Sequence, residues 1–154
     1  MMESVPTEPM AQVADTAPAA MSYRIKRVGA RPLQFSGSEL GMAMSFTPGQ
    51  EFWYEINIYR TVEQEFVVAV KQFFQSADRQ DRAQAWKCPD FEAVMDTLES
   101  YDAGNDVDVI VGPMDGKPAA ELAAVAHDLQ AQVGFARQQY AGLVGAMLHE
   151  IENA

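Results

Sequence analysis

The chain has 154 residues, of which 48% are apolar and 21% charged, and 22 Asp and Glu outweigh 11 Lys and Arg for a formal charge of −11. That length is enough for a buried core without disulfides or metal. The acidic balance argues against a nucleic-acid phosphate backbone as partner, which needs clustered Lys and Arg, and no apolar run reaches the roughly 18–20 residues that span a membrane.

Residues 1–20 contain no aromatic and no basic residue and are rich in Ala, Pro, Thr and Glu. That composition cannot offset the entropy of ordering a chain. It also lacks the basic start and apolar stretch of a secretory signal. The expected organisation is a disordered leader over 1–21 and a single α+β domain over 22–154. Convincing pattern begins at Ser22, so Met21 is itself a candidate start.

Tyr23 to Val28 alternates Tyr23 and Ile25 with Arg24 and Lys26, which predicts a first strand. Arg31-Pro32 is expected to break it, because proline cannot donate to a ladder. A second strand follows, in which Leu40, Met42, Met44 and Phe46 alternate with Gly41, Ala43 and Ser45, up to Thr47-Pro48-Gly49. The strongest signal is Phe52 to Phe74. Its first half places Phe52, Tyr54, Ile56 and Ile58 on one face and Trp53, Glu55, Asn57 and Tyr59 on the other. Its second half, Phe66 to Val70, is apolar on both faces, the mark of a strand buried on both sides. The two make a hairpin at the centre of a sheet. Ala83 to Cys88, containing Trp86, is a short fifth strand.

Pro89-Asp90 starts a helix that Asp90 can cap, with Phe91, Val94, Met95 and Leu98 as its inward stripe. Tyr101 to Asn105 ends it, with Gly104 available for a left-handed cap. Val107 to Val111 reads equally as a short strand or a buried extended loop. Pro118 opens the last helix, where its missing N–H costs nothing. The stripe Leu122, Val125, Leu129, Val133, Ala136, Tyr140, Leu143, Met147, Ile151 has a mean spacing near 3.6 residues, giving one straight helix of ~50 Å. Its heptad slips between Leu129 and Val133, which disfavours a long coiled coil. The fold class is therefore α+β: an antiparallel meander of about five strands, then two helices on one face, the second one long.

Motifs that would carry chemistry are sparse. His127 and His149 both fall on the last helix, away from its stripe and about 33 Å apart, too far to share a metal or substrate. Cys88 is the only cysteine, so no intramolecular disulfide forms and a reducing cytoplasm fits. It stands at a strand-to-helix junction, where the choice lies between an inert buried thiol and a nucleophile activated by the helix start. Gly112 to Lys117 has three residues between its glycines and Pro118 where a P-loop needs Ser or Thr, so it reads as a turn. Asp102, Asn105, Asp106 and Asp108 suggest a cation loop but lack the glycine position and closing Glu of an EF-hand. No catalytic residue, cofactor or metal is expected.

Three surfaces stand out instead. The run from Asp90 to Asp115 carries eight acids and no base, while Arg24 to Arg31 carries four bases and no acid. It is either a solvated face or a patch that meets a basic partner, as a DNA mimic would. Trp53, Glu55, Asn57, Tyr59 and Arg60 form a candidate aromatic-rimmed groove, the alternative being a plain solvent-facing sheet surface. The back of the last helix carries Ala124, Ala131, Phe135, Gly142 and Gly145. Its interior glycines, with Gly134, together cost ~3 kcal/mol against alanine, which close packing by a partner could offset. The expected function is a cytoplasmic, non-catalytic protein-interaction domain that pairs as a homodimer, or with another protein, through that helix. An acidic inhibitor of a basic protein is the alternative, and a small enzyme or ligand-binding module on the Trp53/Tyr59 face is the third reading.

Overall fold

The computed structural model describes residues 20–107 and 116–152. Five strands, β1 (Met21–Arg27), β2 (Ala30–Met44), β3 (Phe52–Thr61), β4 (Phe66–Phe74) and β5 (Arg82–Cys88), lie in the order β1-β2-β3-β4-β5, every neighbour antiparallel. Helix α1 (Phe91–Ser100), a 3-10 turn (Ala103–Asp106) and helix α2 (Ala119–Glu152) follow. This is the α+β meander read from the residue pattern. The leader to residue 19, the 108–111 segment and the first four residues of the Gly112–Lys117 turn lie outside the described residues.

The expected hairpin stands at the centre, and its register sets Phe52 opposite Phe74 and Ile58 opposite Val68. Val67, Val68, Ala69 and Val70 are all buried, because both faces of β4 are covered. One face carries Tyr54, Ile56, Ile58, Val68 and Val70. It packs against Val94 and Leu98 of α1 and Ala136, Tyr140, Leu143 and Met147 of α2. Each large aliphatic buried there stabilises the fold by roughly 1.5–3 kcal/mol.

The sheet departs from expectation at β2. Arg31-Pro32 does not break a strand. Val28-Gly29 makes the turn, with Gly29 at φ 73°, and β2 then runs unbroken for 15 residues. Pro32 is tolerated because it falls opposite the register shift between Ile25 and Arg27, where the ladder is already interrupted. The first half of β2 pairs with β1 and the second with β3. Gly37 sits at the crossover, opposite both Met21 and Thr61.

This long strand lets the sheet curl until its two edges meet. The Val28 N–H donates to the Ala83 carbonyl of β5 at 3.0 Å, and Gln84 Nε2 donates to the Val28 carbonyl at 3.4 Å. The curl encloses a second small core of Ile25, Phe35, Tyr59, Val67, Ala69 and Ala85, with no helix over it among the described residues. Tyr23, Phe35 and Tyr59 cluster there with ring centroids 4.7–5.2 Å apart, Tyr23 stacked on Phe35 and Tyr59 edge-on to Phe35.

Helix α1 begins as expected, with Asp90 Oδ1 accepting from the Ala93 N–H at 2.9 Å. Its end differs. Gly104 is not a left-handed cap. The chain leaves α1 extended at Tyr101 and enters the 3-10 turn, where Asp102 accepts from the Gly104 N–H at 2.9 Å. Gly104 is small because α2 lies close: a Cβ there would come within 2.9 Å of Val133 Cγ1 and Arg137 Nε. Helix α2 starts just after Pro118, whose carbonyl accepts from Glu121 and Leu122. Only its second half is deeply buried. Leu122, Val125, Leu129 and Val133 are half-buried.

Candidate functional site

The most unusual surface is the second half of β2. Pairing with β1 stops at Met21 opposite Gly37, so from Ser38 to Met44 the strand pairs only with β3. Among the described residues its other edge has no strand neighbour. The side chains along it alternate by size. Gly41 and Ala43 face the helices, and a Cβ on Gly41 would already lie 3.5 Å from Met147 Sδ. The large residues must therefore face the other way, where no helix lies among the described residues. Leu40 (50%), Met42 (45%), Met44 (45%) and Phe46 (51%) are left exposed. A register shift between Glu39 and Gly41 accommodates Leu40 as the extra residue of a bulge.

Aromatic neighbours extend this row across the sheet. Phe46 meets Trp53 edge-on at 4.8 Å, and Trp53 stacks with Phe73 at 6.1 Å. Beneath lies a polar floor. Glu55 pairs with Lys71 at 3.6 Å, and Asn57 Nδ2 donates to Glu39 Oε2 at 2.7 Å. Asn57 Oδ1 is buried without a hydrogen-bond partner among the described residues.

The structure redistributes the five residues expected to line a groove. Trp53, Glu55 and Asn57 share the face with Met42, Met44 and Phe46. Tyr59 is not at the surface: like Asn57 it is only 4% exposed, because the curled sheet closes over it. Its phenol is pushed up to about 12 by burial first, then by Glu39, Tyr23 and Glu55. Arg60 lies on the opposite face, its guanidinium 4.9 Å over the Phe66 ring and bonded to Gln64 at 2.9 Å. The exposed row at 40, 42, 44 and 46 was legible only as a strand. The large–small alternation is the signal that could have revealed it, once the small side is known to face a helix.

On α2, Ala124, Ala131, Gly142 and Gly145 are exposed, and a Cβ on either glycine would meet open space. Phe135 is 44% exposed, but its ring stands edge-on to Phe52 at 5.9 Å, resting on its own sheet. His127 and His149 are exposed on the same helix. Cys88 is buried, with its sulfur 3.6 Å from the Thr97 hydroxyl. Among the described residues no three His, Cys, Asp or Glu side chains converge as a metal site requires, and no helix is long and apolar enough to cross a membrane.

Several of the clustered acids are consumed by the fold. Asp90 caps α1. Asp102 makes a two-pronged pair with Arg137, both contacts at 2.9 Å, tying the 3-10 turn to α2. That pairing, with the Gly104 N–H, lowers the Asp102 carboxyl to about 2. Asp106 Oδ2 accepts from Tyr101 at 2.6 Å and Tyr54 at 2.8 Å, and Arg82 donates to the Asp106 carbonyl at 3.2 Å. Burial raises the Asp106 carboxyl and outweighs the two phenols and Arg82, which act to lower it. Tyr140 donates to the Leu98 carbonyl at 2.6 Å. No protein-family model, curated protein or solved structure matches the chain at a significant level.

These phenols set an alkaline limit on stability. Tyr54, Tyr101 and Tyr140 are all held above the ordinary tyrosine value, by burial first and then by Asp106 nearby, and Tyr59 stands at about 12. A raised folded value means the stabilisation is complete below the unfolded value near pH 10 and is lost as pH rises towards the folded values. Each such tyrosine costs up to roughly 1.4 kcal/mol per pH unit in that window. Tyrosinate absorbance is therefore expected to rise together with loss of circular dichroism above pH ~10. Ordinary titration of four or five tyrosines in still-folded protein would contradict this burial.

Proposed function

We propose that this domain is a protein-interaction module that pairs with a second copy of itself along the open edge of β2. The observation that carries the reading is the conjunction of an unpaired strand edge with Leu40, Met42, Met44 and Phe46 exposed on it. Edge strands are ordinarily guarded by lysine, proline, inward charge or a bulge. The bulge at Leu40 interrupts only the start of this edge, leaving Gly41 to Met44 in regular register. Between Ser38 and Phe46 there is no proline and no base, and Glu39 is the only charge. The chemistry suits a second copy. An antiparallel pairing about a two-fold axis near Met42 and Met44 lays one apolar row beside its own repeat, as an isologous contact requires. It would join two five-stranded sheets into one of ten strands and satisfy the outward backbone groups. Val144, Leu148 and Ile151, half-buried at the same end of α2, would flank the join. The single buried cysteine suits the cytoplasm in this reading.

The edge is favoured over the back of α2 because Phe135 already has an aromatic partner within its own chain. Sedimentation separates the two. Met42→Lys with Met44→Lys is expected to give a folded monomer, while Phe135→Glu leaves the dimer intact. The opposite pattern would assign association to the helix. Wild-type protein that sediments as a monomer at ~100 μM would exclude self-pairing. Because each copy carries a formal charge of −11, added salt is expected to tighten the dimer by screening repulsion.

A further inference from the structure

A cleft of about 690 Å³ opens between β4–β5 on one side and α1 with the 3-10 turn on the other. That size suits a small molecule. It lies on the helix-bearing face of the sheet, away from the β2 row, so its occupancy does not depend on the self-pairing reading.

Gln72 lies at its floor. It stands opposite Tyr54 and Arg82 in the sheet and is only 3% exposed. Its Oε1 has no hydrogen-bond partner among the described residues. Buried polar atoms are nearly always paired, so an unpaired amide oxygen at a cleft floor asks for a donor that none of the described residues supplies.

The remaining lining has a definite chemistry. Trp86 and Tyr101 form an aromatic wall, meeting edge-on at 5.8 Å. Asp96, Asp102 and Asp106 contribute carboxylates, against Arg82 as the base. Setting aside Asp102, which Arg137 neutralises, two carboxylates face one guanidinium, and Arg82 is engaged with the Asp106 carbonyl. Among the described lining residues, negative charge thus outweighs positive charge beside two aromatic rings. From this juxtaposition we infer that the cleft binds a small organic cation, its N–H groups donating to Gln72 and the carboxylates and its apolar body lying against Trp86 and Tyr101. The raised Asp106 carboxyl is consistent with this, since a bound cation would favour its ionised form.

The test is an NMR titration of ¹⁵N-labelled protein at neutral pH with benzylamine, benzoate and benzyl alcohol. Benzylamine is expected to give saturable shifts at the Gln72 side-chain amide and the Trp86 indole N–H with a Kd of order 1 mM. Benzoate is expected to bind at least ~10-fold more weakly. Equal or tighter benzoate binding would overturn the proposal, as would no saturable shift at either group. Gln72→Leu removes an amide oxygen with no partner among the described residues, so it is expected to leave Tm unchanged or higher while weakening benzylamine ~10-fold. A large fall in Tm would show that the amide is satisfied in the native protein and would defeat the argument. Ser100→Trp, at the exposed end of α1, should block the mouth without touching the core. Unchanged affinity in that variant would place the cation elsewhere.

Discussion

Val68→Asp is expected to leave no cooperatively folded protein. Val68 is fully buried at the centre of β4, between Ile58 of β3 and Trp86 of β5, and it belongs to the core under both helices. An aspartate there must be desolvated without a partner or be protonated, and either costs several kcal/mol beyond the lost valine contacts. A loss of more than ~4 kcal/mol approaches the whole stability of a small domain. Glu63→Lys is the matched control, because Glu63 is exposed in the turn between β3 and β4. It is expected to shift stability by less than ~0.5 kcal/mol. Circular dichroism and thermal melts of the two variants check the pair, and comparable damage from both would mean that the hairpin register is wrong.

Gly37→Ala is expected to be nearly as harmful, by a different mechanism. Gly37 is where β2 passes from pairing with β1 to pairing with β3, and a Cβ there would run into the Arg60 carbonyl of the neighbouring strand. Backbone cannot rotate away as a side chain can, so the strands must separate locally. The expected loss is about 3 kcal/mol, the upper end of overpacking penalties, or a fall in Tm of roughly 10 °C for a domain of this size. Gly142→Ala and Gly145→Ala provide the contrast. A Cβ at either position meets open space on α2, so each is expected to stabilise by about 0.8–1 kcal/mol. Loss of stability or of dimer from these two would mean that a partner packs against the helix after all.

Much of the architecture could be read without coordinates. The period-two alternation from Phe52 to Ile58 and the β-branched run at Val67 to Val70 specify a central hairpin, because a one-residue slip would turn every apolar side chain to the wrong face. Asp90 after Pro89 specifies a helix start, since its carboxylate can reach the free N–H groups of the first turn. The 3.6-residue stripe from Leu122 to Ile151 specifies a long helix and the face it buries. These are local patterns, set by the repeat of the backbone itself.

What the sequence could not determine arises from contacts between residues far apart in the chain. Whether Pro32 ends a strand depends on what lies opposite it, and a register shift in β1 makes it harmless. Whether Asn57 and Tyr59 face water depends on the curl of the sheet, which joins Val28 to Ala83 and closes over that face. Gly104 owes its size to the approach of Val133 and Arg137, not to its own dihedral angles. Phe135 sits outside the apolar stripe, yet Phe52 of the sheet receives it. The alternation at Leu40, Met42, Met44 and Phe46 was plain in the chain. That these four are the ones left exposed was decided only when α2 came down on the glycine and alanine between them, because a strand has two faces and local pattern alone does not say which one a helix will cover.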